Sequence, residues 1–83
     1  MDADERGEWT GIARAILEHL RQHPLAADSA EGVARWWLKP PHDRARLEDV
    51  EQALEALVAQ GVLRRVQLGG GGALYSQVLP TRQ

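Results

Sequence analysis

The chain has 83 residues, no cysteine, and ten Lys/Arg against twelve Asp/Glu, a formal net charge of -2. That length gives one domain with one modest core and no room for a deep cleft of its own. The missing cysteine excludes a disulfide framework, a thiol nucleophile and a thiolate metal site, and the charge balance gives no bulk attraction to nucleic acid or anionic lipid.

In chain order, Met1-Asp2-Ala3-Asp4-Glu5 is acidic where a secretory signal is basic and then apolar. No apolar run approaches the roughly 20 residues that span a bilayer. The expectation is a cytoplasmic protein without a membrane partner. Residues 1–7 read as a disordered acidic N-terminal arm, 8–79 as the domain and 80–83 as a C-terminal tail.

Trp9, Ile12, Ala13, Ile16, Leu17 and Leu20 recur at the spacing of one helical face, which predicts a first helix from about Glu8 to Gln22, ended by Pro24. Asp28 and Glu31 stand at capping-box spacing, with Asp28 in the cap position, ahead of a second helix over about Ser29 to Leu38. Ala30, Val33, Ala34, Trp37 and Leu38 share its core face, and Pro40-Pro41 forbids continuation. The opposite flank carries Gly32, Arg35, Trp36 and Lys39. Asp43 caps a third helix with the stripe Leu47, Val50, Leu54, Leu57 and Val58, and Gly61 closes it in the left-handed conformation. Val62 to Leu68 and Ala73 to Leu79 flank Gly69 to Gly72 and read as a hairpin. Pairing Leu68 with Ala73 sets Val66 opposite Tyr75. The predicted core contains Trp9, Ile16, Leu20, Val33, Trp37, Leu54, Leu57 and Tyr75.

The order helix, helix, helix, hairpin, and the stretch "VEQALEALVAQGVLRRVQLGGGGALYS" in particular, resembles the third helix and wing of the winged helix-turn-helix superfamily. The resemblance covers roughly Glu8 to Leu79. It implies an α+β fold, a three-helix bundle followed by a two-stranded antiparallel β-hairpin wing, and a third helix that enters a DNA major groove while the wing lies along the backbone.

Carried onto this chain, that role falls to Gln52 as base reader and to Arg44, Arg46, Arg64 and Arg65 as phosphate contacts. The outward positions of the third helix, Ala45, Glu48, Asp49, Gln52, Ala56 and Ala59, suit it badly. Five basic residues from Lys39 to Arg65 face five acids over the same span, and the wing tip carries no cation. Nucleic acid is therefore the alternative partner.

Trp36 and Trp37 are neighbours and cannot share a helix face. Trp37 belongs to the core, which leaves Trp36 beside the notch at Gly32 with Arg35 and Lys39 as a rim, the residue types of an interface hot spot. The competing readings have the arm or the tail folded over Trp36, or the ring partly packed within the domain. His19 and His23, four apart near a helix C-terminus, lack a third ligand, and the dipole alone favours them there. The glycine run lacks the Lys-Ser or Lys-Thr of a phosphate loop. Ser29, Ser76, Thr10 and Thr81 have no partnering histidine at an interpretable spacing. The expectation is a non-enzymatic module without cofactor or metal, which binds a protein partner or its own copy through Gly32, Arg35, Trp36 and Lys39.

Overall fold

The computed structural model describes residues 2–40 and 42–78, with side chains from Thr10 onward. α1 spans Asp2–Gln22. Ile12, Ala13, Ile16 and Leu20 are buried as their spacing requires, and Leu17 lies at the open edge of the stripe. The Trp9 side chain, expected in the core, lies outside the described residues. α1 begins at Asp2 rather than near Glu8 because acids near a helix N-terminus are favoured by its dipole, a start signal the apolar pattern does not carry.

After a turn in which the Ala26 amide donates to the His23 carbonyl at 3.0 Å, Ala27–Asp28 forms a short strand, β1. Asp28 is thus not the helix cap. Ser29 is, its Oγ accepting from the Gly32 amide at 3.1 Å, while the Asp28 carboxylate accepts from the Ser29 amide at 2.9 Å. One α-helical turn, α2 (Ala30–Gly32), then widens into a π-helical segment, Val33–Trp37. Leu38 leaves in extended conformation, so the helical run expected to Leu38 ends at Trp37 and only its first turn is α-helical. Val33, Trp37 and Leu38 are buried, with Ala30 and Ala34 packed partly against them.

α3 spans Leu47–Ala59. Asp43 is not its cap. Hydrogen bonds from His42 to Lys39 and from Ala45 to His42 hold Asp43 in the preceding turn, and Arg46 takes the cap position without a side-chain bond. Val50, Leu54 and Leu57 are buried, and Ala53 joins them, while Leu47 stays 38% exposed at the first turn and Val58 is partly buried. Gly61 closes α3 at φ +82°. The Val62 amide donates to Leu57 and the Gly61 amide to Val58, both at 3.0 Å, which satisfies the helix-end carbonyls in the Schellman pattern.

β2 (Leu63–Gln67) and β3 (Ala73–Gln77) form the hairpin, but the sheet has three antiparallel strands rather than two, in the order β1-β3-β2. β1 pairs Ala27 with Ser76 and Asp28 with Tyr75. A two-residue strand has no periodicity to betray it in a sequence. The hairpin register also differs by one: Arg65, not Val66, lies opposite Tyr75, and Val66 pairs with Leu74. The Leu68 amide donates to Gly72 rather than pairing with Ala73, which leaves Gly69 to Gly71 as a three-residue loop with Gly71 at φ +103°.

The core sits where α1, the π segment, α3 and the inner sheet face meet, around Ile16, Leu20, Val33, Val50 and Leu54, all with no exposed surface, and Leu63 and Tyr75 from the sheet. Each such aliphatic side chain contributes about 1.5–3 kcal/mol by leaving water.

Candidate protein interface on helix two

The π segment sets the direction of Trp36. An α-helix advances about 100° per residue, whereas the wider turn of i→i+5 bonding advances roughly 80°. The wider winding turns Trp36 further from the face of buried Val33 than α spacing does. Trp36 is 70% exposed while Trp37, the next residue, is 4% exposed.

The other three candidates of this face are arranged less simply. Arg35 is exposed on the same segment. Lys39 is exposed too, but it follows the extended Leu38 and lines a groove beside α1, so helical spacing does not join it to Trp36. Gly32 is not an open notch. A Cβ placed there would collide with the Asp28 carboxylate, which covers the glycine. The small residue at this position serves a close approach inside the fold.

The second candidate set is divided by ion pairs. Arg46 bonds Glu48 at 2.6 Å, and Arg65 bonds Glu55 at 2.6 Å. Arg44 and Arg64 are exposed and take part in no ion pair among the described residues. Gln52 is exposed, but it lies in an open depression lined by Glu48, Asp49, Glu51 and Glu55. An anionic backbone brought to this face meets carboxylates before it meets the amide.

Glu55 has a structural role that no local sequence pattern marks. Its Oε2 accepts from the Tyr75 hydroxyl at 2.8 Å as well as from Arg65, joining α3 to β2 and β3. These donors, the tyrosine first, hold its carboxyl below the usual carboxylate range, and burial together with the Glu55 bond pushes the Tyr75 hydroxyl up. The signal for it was the hairpin register, since only the observed pairing sets Arg65 opposite Tyr75.

The His19 and His23 rings lie with centroids 4.7 Å apart, their planes tilted by 34°. Among the described residues no three His, Asp or Glu side chains gather at metal-binding distances, and no helix is long and apolar enough to cross a membrane. Comparison with protein-family models, with curated proteins and with solved structures found no match.

Proposed function

We propose that this chain is a non-enzymatic winged-helix binding module, of cytoplasmic location, that contacts a protein partner or a second copy of itself through Trp36 and its flanking Arg35. The exposure of Trp36, 70% on a segment whose next residue is core, carries the reading. Large aromatics and arginine dominate interface energetics when buried by a partner. The succession of three helices and a hairpin supports the winged-helix assignment. The pairing of Arg46 and Arg65 with glutamates weighs against DNA as the partner, because each must be released before it can neutralise a phosphate. A photo-reactive residue at position 36 tests this directly. Irradiation of the intact chain in its native cell should yield a discrete protein adduct from position 36 and none from exposed Gln60 at the end of α3. Equal labelling from both positions, or none from position 36, contradicts the proposal.

A further inference from the structure

The histidines lie along the seam between α1 and the segment that follows helix two, His19 and His23 together near the C-terminal end of α1 and His42 opposite Gly11. The His19 ring lies on the Trp37 indole with centroids 4.6 Å apart and planes 17° from parallel. The His23 ring is 4.7 Å from His19. His42 reaches the same seam from the turn after Pro40: its Cε1 is 2.8 Å from the position a Cβ on Gly11 would take, and it shares with His19, Glu18 and Lys39 the lining of a groove of about 140 Å³. Trp37 belongs to the core, so a side chain able to gain charge is stacked on a residue that the fold requires.

We propose that this imidazole cluster is a proton-operated clasp between α1 and helix two, closed while His19 is neutral and opened when acidification charges it. The proposal is independent of the interface reading. His19 is partly buried, so its imidazolium form loses hydration without gaining a counter-charge. The charged and titratable groups around it are His23 and Glu18 from α1 and Lys39 and His42 from the far side of the groove. The one acid among them is already engaged, because Glu18 accepts two hydrogen bonds from Arg21 and one from Gln22. Burial first, then the proximity of His23 and Lys39, holds His19 below the usual histidine range. Attraction between an imidazolium and the Trp37 face acts against opening and sets how far the pH must fall.

The sign follows from linkage. A base whose folded-state pKa is depressed binds its proton more readily in the unfolded chain, so its stability is complete above the unfolded value and declines as pH falls toward the folded one. The test is proton NMR of the intact chain from about pH 8 to about pH 5, the range in which histidines titrate, together with thermal melts of wild type and His19→Gln. The Trp37 indole resonance should move with the His19 titration, whose midpoint should lie below the usual histidine value. His23→Gln should raise that midpoint. The wild-type Tm should fall on acidification and the His19→Gln Tm should fall less. A His19 midpoint at or above the usual value, or a Trp37 resonance indifferent to it, overturns the proposal from the wild-type titration alone, whatever the variant does; a full acid loss retained in His19→Gln overturns it equally.

Discussion

Glu55 shows how one side chain joins three elements. Its Oε2 receives both the Tyr75 hydroxyl and the Arg65 guanidinium, so α3 is tied to both long strands through a single oxygen. The folded carboxyl is depressed, which means its contribution to stability is present above the unfolded carboxylate pKa and is lost as pH falls through the folded value. Roughly half of the side chain is in water, and screening there keeps the pair weak. Glu55→Gln keeps an oxygen for Tyr75 but loses the charge. Denaturant unfolding below the ordinary carboxylate range should therefore show a shallower acid decline in the variant than in wild type. An unchanged decline would mean that other carboxylates carry it.

Helix two is the element where local sequence and final structure differ most. The spacing of Val33 and Trp37 identified its core face, since i and i+4 fall together in α and π winding alike. The π widening was not legible, because an apolar pattern of five residues cannot distinguish the two windings. Asp28 was misread for a related reason. It is a good cap residue by type, but pairing with Tyr75 places it in β1, a long-range contact that no local pattern encodes. Its carboxylate then bonds the Ser29 amide and covers Gly32. Gly32→Ala should consequently act on folding: the added carbon displaces the Asp28 carboxylate from the Ser29 amide, at a cost of about 1 kcal/mol for the lost hydrogen bond, and thermal denaturation should register it as a lowered Tm. A neutral or raised Tm would show that Asp28 rotates away freely and that helix propensity decides.

At the scale of the whole molecule, the α+β class, the three helices, the closure of α3 at Gly61 and the position of the hairpin were all legible, because each rests on period, breaker or glycine signals within a few residues. The third strand and the hairpin register were not, because both depend on which residues meet across the sheet. The charge distribution was legible as composition, but the pairing of Arg46 with Glu48 and of Arg65 with Glu55 was not. It leads to the expectation of weak or absent duplex binding at physiological salt. Four arginines neutralising phosphates would give a slope of log K against log salt near about -3.6. Submicromolar affinity with that slope, abolished by Arg44→Ala, would return the chain to the DNA-binding class.

Trp36 as an interface residue and Leu54 as a core residue are told apart most directly by comparing their alanine variants. Leu54 has no exposed surface, and Leu54→Ala should cost about 2–5 kcal/mol, a large share of the stability of so small a domain. Trp36→Ala should change the melt by no more than about 0.5 kcal/mol, as a surface substitution does. Its capture of the cross-linked partner, or its self-association, should fall about thirtyfold, corresponding to about 2 kcal/mol at a hot spot. A Trp36→Ala domain that melts as Leu54→Ala does, or that binds as wild type does, would contradict the account.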